Sequence, residues 1–220
     1  MIPLRDVIPS RTTPGVTIAL IVLNVVFYLL QLVLTDQERD AVLIGFGLVP
    51  AYFSLLNAFT AMFVHGGLAH LGGNMLFLWI FGDNVEDDLG HGRYAVFYLT
   101  TGLLASIAHV VATFVLGDNP FIPSLGASGA ISGVMGGYLV LHPHRRVRVL
   151  VLRAITEVPA YVAVGLWFVF QLISAFGVIG QGPQATGGVA FMAHIGGFIA
   201  GVALVKVFAV GAGRPAARVR

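Results

Sequence analysis

The chain has 220 residues, 57% of them hydrophobic and 10% charged, with a net charge of +2 and no cysteine. A soluble domain carries about 25% charged residues, so this composition excludes a water-soluble globule and points to a membrane protein. The missing thiols exclude disulfides, thiolate metal centres and cysteine nucleophiles. Basic residues stand in short clusters beside apolar runs, where they report topology rather than a nucleic-acid surface.

Residues 1–15 hold Arg5, Asp6 and Arg11 but lack the apolar core and small-residue cleavage site of a removable signal. They are expected to form a retained cytoplasmic segment. A crossing helix needs about 20 apolar residues, and the first candidate is 16–34. Residues 41–64 are also uncharged, but Gly45, Gly47, Pro50 and Asn57 interrupt them, so an interfacial or re-entrant loop is expected there. The further crossings are placed at 68–81, 94–116, 127–141, 155–178 and 189–210, the first and third of these being short. The fold class is thus all-α: a polytopic bundle of six helices over 16–210, followed by a basic cytoplasmic tail, 211–220.

With six crossings, eleven of the twelve Lys and Arg residues fall on one side and Arg39 alone on the other. The positive-inside rule makes the first side cytoplasmic, with both termini there and the chain in a cell (inner) membrane. A seventh crossing at 41–64 would move only the N-terminus.

Polar residues collect at one depth. Crossing two opens with "HGGLAHLGGNM", carrying His65, His70 and Asn74, the last two spaced i, i+4 on one helix face. Crossing four opens with "GASGAISG", with Ser128 between Gly126 and Gly129. Crossing six carries His194 in "AHIGGFIAG". All three run inward, so these groups lie together near the outer leaflet, where polar side chains face a bundle interior or a water-filled cavity. Gly129, Gly133 and Gly137 repeat every fourth residue, as do Gly197 and Gly201, a spacing that lets helix backbones approach closely in lipid. Alone it is a packing signal; with a Ser and a His beside it, it is a site signal.

The segment 127–141 covers roughly 22 Å at 1.5 Å per residue, short of the ~30 Å hydrocarbon core. Ser128 is therefore expected below the outer surface, at a helix start whose free N–H groups point at any ligand. A Ser hydroxyl needs a base, and neutral His is the usual one. No acidic residue accompanies His194, so the expected machinery is a dyad of Ser128 and His194. The Ser128 N–H, Asn74 and His70 are suited to hold an oxyanion.

These three stretches, in this order and hydropathy pattern, resemble the rhomboid family of intramembrane serine proteases. The resemblance implies a six-helix bundle hydrolysing peptide bonds of membrane-spanning substrates through an acyl-enzyme. Ser128 in GxSG would be nucleophile, His194 in AHxxG base, and His70 and Asn74 in HxxxN oxyanion donors. His65, Gly126, Gly129, Ser132 and Gly197 would support the site, with no cofactor or metal. Partners would be transmembrane protein substrates and the lipid bilayer, not nucleic acid.

Three positions depart from the family pattern. Leu56-Asn57 stands where many members have Trp-Arg. Ser132 replaces an aromatic residue that packs on the base, so its hydroxyl is the expected orienting contact for His194. Asp88 stands where an Arg is common. The loop 180–188 is read either as a cover over the site or as a plain connector, and Trp167, Phe168 and Phe170 either as the lining of a lateral opening or as packing and interface anchors. His65 is expected to organise the outer loop. Rival readings are a metal site of His65, His70 and His194, an inactive relative binding client helices, and a transporter.

Overall fold

The computed structural model describes residues 2–7, 9–177 and 190–211. The loop 180–188 and the tail from 212 lie outside the described residues. A short strand, β1 (Ile2–Asp6), precedes helix α1 (Gly15–Leu32), and α2 (Asp36–Phe46) follows. Helix α3 (Leu55–Thr60), with a 3-10 turn on either side, leads into α4 (Leu68–Leu89) and α5 (His91–Leu116). Next come α6 (Ser128–Leu141), a hairpin of β2 (Arg146–Val151) and β3 (Ala154–Pro159), and then α7 (Ala160–Gly177) and α8 (Phe191–Ala209). Three of these helices, α1, α5 and α8, are long and apolar enough to cross a membrane by themselves.

Helix α1 wears its polarity inside. Thr17, Leu20, Asn24, Tyr28 and Gln31 are its buried residues, a stripe at helical spacing, while Leu29 and Leu30 face outward. A helix in water would do the reverse; in lipid, polar side chains gain by turning toward neighbouring helices. Gln31 uses its amide twice, donating to the His65 carbonyl at 3.2 Å and accepting from the His65 N–H at 3.3 Å. Its first turn is completed from afar: Glu86 on α4 accepts from the Val16 and Thr17 N–H groups at 2.9 and 2.8 Å, where Pro14 offers no cap.

Residues 41–64 form short pieces. Helix α2 is closed by a Thr35/Glu38 capping box and, at 11 residues, is about 16 Å long, well short of a bilayer. Asn57 ties α2 to α3 by donating to the Gly45 and Gly47 carbonyls, both at 2.9 Å.

Two expectations need correction. The fold is mostly helical, not all-α: β1, β2 and β3 make a three-stranded antiparallel sheet. The fifth crossing also starts later than residue 155, because Ala154–Pro159 is strand and the helix begins at Ala160. The cause is local, since Arg146-Val147-Arg148-Val149 alternates with period two, valines buried and arginines exposed. The hairpin so formed draws the start of the next apolar run into the sheet.

The sheet sits against the C-terminal half of α4 and the start of α7. There the Asp6 side chain is buried, accepting from Asn84 Nδ2 at 2.6 Å and the Tyr138 hydroxyl at 3.2 Å. Burial, with Asp83 nearby, pushes its carboxyl up to about 7. Asp88, at the departing position, pairs with Arg11 and lies 3.0 Å from His142.

Candidate active site

The site is set by how α6 and α8 touch. A Cβ on Gly197 would collide with the Gly129 carbonyl, and one on Gly201 with the Gly133 carbonyl. The two backbones are in direct contact over two turns, as the i, i+4 glycines predict. This contact fixes the register, and His194, one turn before Gly197, falls opposite Ser128, one residue before Gly129. His194 Nε2 lies 2.7 Å from Ser128 Oγ.

Loop 117–127 delivers Ser128 to that place. It is held by a Leu48–Ser124 bridge and by the Gly126 N–H on the Ala61 carbonyl at 2.8 Å. Gly126 has φ +104, and a Cβ there would stand 2.7 Å from His70 Nε2 and 3.2 Å from Asn74 Nδ2. Only glycine suits that backbone and that space. The N-cap of α6 is Ala127, which supplies no side-chain cap, so the first N–H groups of the helix remain donors beside the serine.

His70 and Asn74 share one face of α4 and flank Gly126, two residues before Ser128. The His70 ring is exposed, whereas Asn74 is buried. The Asn74 amide donates to His65 Nε2 at 2.9 Å, which orients it. His65 is buried and its imidazole falls to about 4, chiefly through burial, with His70 adding and the Phe63 carbonyl opposing. It is therefore a neutral acceptor that organises the loop by hydrogen bonds.

Ser132 does not reach His194. Its hydroxyl donates to the Ser128 carbonyl one turn back at 2.6 Å, the local bond a helical serine prefers when buried. The contact on His194 comes from a residue that the sequence reading passed over: His194 Nδ1 lies 2.8 Å from Gln171 Oε1 on α7. The signal was a lone amide in the run "LWFVFQLISAF", where a polar group is costly without a partner. Trp167, one turn before Gln171, lies 6.1 Å from the His194 ring, and Phe191 meets that ring edge-on at 6.4 Å.

Two spaces are formed among these helices, one of them lined by Ser128 and the other by Gln171. Behind Ser128 a cavity of about 20 Å³, lined by Ser106, Ser124 and Gly102 among others, has room for about one water. Between α4 and α7 a cleft of about 430 Å³ is walled by Phe77, Leu166, Trp167, Phe170 and Gln171, with Pro3 and Val149 of the sheet as its floor. Phe168 turns away and stacks on Phe198 at 4.2 Å. Among the described residues no group of three His, Asp or Glu side chains is arranged to hold a metal ion.

Residues 52–210 match the Rhomboid domain family. The chain belongs to the rhomboid family. It is similar to the Rhomboid protease GluP of Bacillus subtilis, 31% identical over 193 residues, which covers 86% of this chain and 34% of that protein. Rhomboid protein 1, mitochondrial, of Saccharomyces cerevisiae is 31% identical over 149 residues, 68% of this chain and 40% of that one. Rhomboid-like protease 3 of Toxoplasma gondii is 26% identical over 198 residues, 89% and 68% of the two. This rhomboid thus spans 34% to 40% of the length of the first two relatives. It is a multi-pass membrane protein. The matched domain contains Ser128, His194, His70, Asn74 and Gln171, while β1, α1 and α2 precede it.

Proposed function

We propose that this rhomboid is an intramembrane serine endopeptidase that cuts transmembrane segments of other membrane proteins. The observation that carries the reading is the 2.7 Å approach of His194 Nε2 to Ser128 Oγ, within the reach a proton relay needs. It occurs at an uncapped helix start, and Gln171, which touches His194, also lines the cleft between α4 and α7. Six helices, α1 and α4 to α8, would cross the bilayer. The arginine-rich sheet end would lie in the cytoplasm and Ser128 beneath the outer headgroups of a cell membrane.

In the first step Ser128 Oγ attacks the scissile carbonyl carbon while its proton passes to His194 Nε2. The tetrahedral oxyanion sits where Gly126 leaves room, facing His70, the Asn74 amide and the first N–H groups of α6. His194 returns its proton to the departing amine as the C–N bond breaks, leaving an ester on Ser128. Water, activated by the same imidazole, then releases the acid and restores the serine. Gly126 and Gly129 shape the cradle, and His65 keeps the Asn74 amide turned toward it.

The protein reconstituted with a labelled single-span substrate tests this. Cleavage and fluorophosphonate labelling are expected in the unaltered protein, with the adduct mapped to Ser128. Both vanish in Ser128→Ala, and His194→Ala lowers turnover by about 10³-fold or more. Cleavage surviving both substitutions overturns the assignment, and loss of cleavage in chelator favours the metal reading.

A further inference from the structure

The two nitrogens of His194 have different neighbours. Nε2 faces the Ser128 hydroxyl at 2.7 Å, and Nδ1 faces Gln171 Oε1 at 2.8 Å. An amide oxygen only accepts hydrogen bonds. The contact therefore places the ring proton on Nδ1 and leaves the Nε2 lone pair directed at the hydroxyl it must deprotonate. With the amide turned the other way, its NH₂ would donate to Nδ1 and drive the proton onto Nε2, where it would block the relay.

The surroundings say why an amide stands here. Gln171 is 6% exposed, on a helix whose flanking residues are apolar, and a buried amide is costly unless bonded. The imidazole touches Ser128 on α6, Trp167 and Gln171 on α7 and Phe191 on α8, its titratable neighbours are His70 on α4 and His109 on α5, and among the described residues no carboxylate is bonded to it. An aspartate at this depth would bury a charge with no cation beside it. The amide orients the ring without that cost.

We propose that Gln171 is a positioning residue of this rhomboid, holding His194 in the tautomer and ring plane that let it act as base, so that the dyad is a three-helix relay of Ser128, His194 and Gln171. The proposal rests on the reading of Ser128 and His194 as nucleophile and base. Gln171 also lines the cleft between α4 and α7, so a segment occupying that cleft packs against the side chain that aims the base.

The test combines a spectroscopic readout with kinetics. In protein labelled with ¹⁵N-histidine and assigned with His194→Ala, the His194 ring is expected to be the Nδ1–H tautomer at neutral pH. Gln171→Leu removes the acceptor and mixes the tautomers. It lowers kcat by about 10–100-fold with KM changed less than about twofold, whereas general damage to the fold would move both. Gln171→Glu restores the acceptor and most of kcat, and moves the acid limb of the pH–rate profile to higher pH because a carboxylate favours the protonated imidazole. An Nε2–H ring in the unaltered protein overturns the proposal, as does a leucine variant with unchanged tautomer and kcat. Failure of the dyad reading shows separately, as cleavage that survives Ser128→Ala while the ring spectrum is unaffected.

Discussion

Where α8 lies on α6, the Gly129 and Gly133 carbonyls meet the α-carbons of Gly197 and Gly201 with no side chain between them. Where α7 faces α4, aromatic side chains stand around a cleft of about 430 Å³. The first contact has no freedom to adjust, because backbone cannot change rotamer; the second has a great deal. Nucleophile and base are both carried on the rigid pair, and the group that touches the far side of the base rides on the looser helix. The protein thus separates what must be held from what must admit a partner.

Glycine substitution breaks this comparison most sharply. Gly201→Ala drives a methyl into the Gly133 carbonyl and is expected to destabilise by about 3 kcal/mol or more, at the upper end of overpacking. Gly165→Ala on α7 meets nothing within 4 Å and should stabilise by about 0.5–1 kcal/mol through helix propensity. Thermal unfolding of both variants in one detergent decides; equal effects would mean that α6 and α8 are not the rigid pair.

Gly126→Ala comes next. The methyl would stand against His70 and Asn74 at a φ that side chains avoid, so kcat should fall about 10²-fold, the scale of a lost oxyanion donor. Fluorophosphonate labelling of Ser128 should slow in parallel, and Ser128→Ala measured alongside sets the floor.

The smallest effects separate the two ends of the bundle by pH. Asp6 has its pKa raised to about 7, so the folded sheet end keeps a proton that a detached strand loses. Its stability is full below about pH 4 and declines as pH rises toward 7. His65 has its value lowered to about 4, so the loop at the site end is weakened as pH falls from about 6.5 toward 4. Hydrogen exchange at the β1 amides should slow in mild acid while that around His65 quickens. Asp6→Asn should abolish the first trend alone.

Much of this architecture was legible in the residues. Gly129, Gly133, Gly197 and Gly201 announce a backbone contact because only glycine permits one, and the contact carries Ser128 toward His194. The asparagine of HxxxN likewise fell where helical spacing put it. The hairpin after α6 was lost because its β3 residues, Ile155, Thr156 and Val158, are also what an apolar helix begins with; only the alternation in Arg146–Val149 marked it. Gln171 was missed for a different reason. One amide in an apolar run signals that a partner exists, but which partner depends on how α7 rotates against α8, and nothing local sets that rotation. The family pattern points instead to Ser132, where helix geometry gives the hydroxyl a nearer carbonyl.

The acidic end of α4 carries a last implication, for biosynthesis. The first turn of α1 hangs its amide groups on Glu86, 70 residues downstream of Val16. At roughly 5–20 residues per second, a ribosome needs about 4–14 s to make that distance. Over that interval the first turn of α1 lacks these acceptors, and α4 supplies them once the two helices pack.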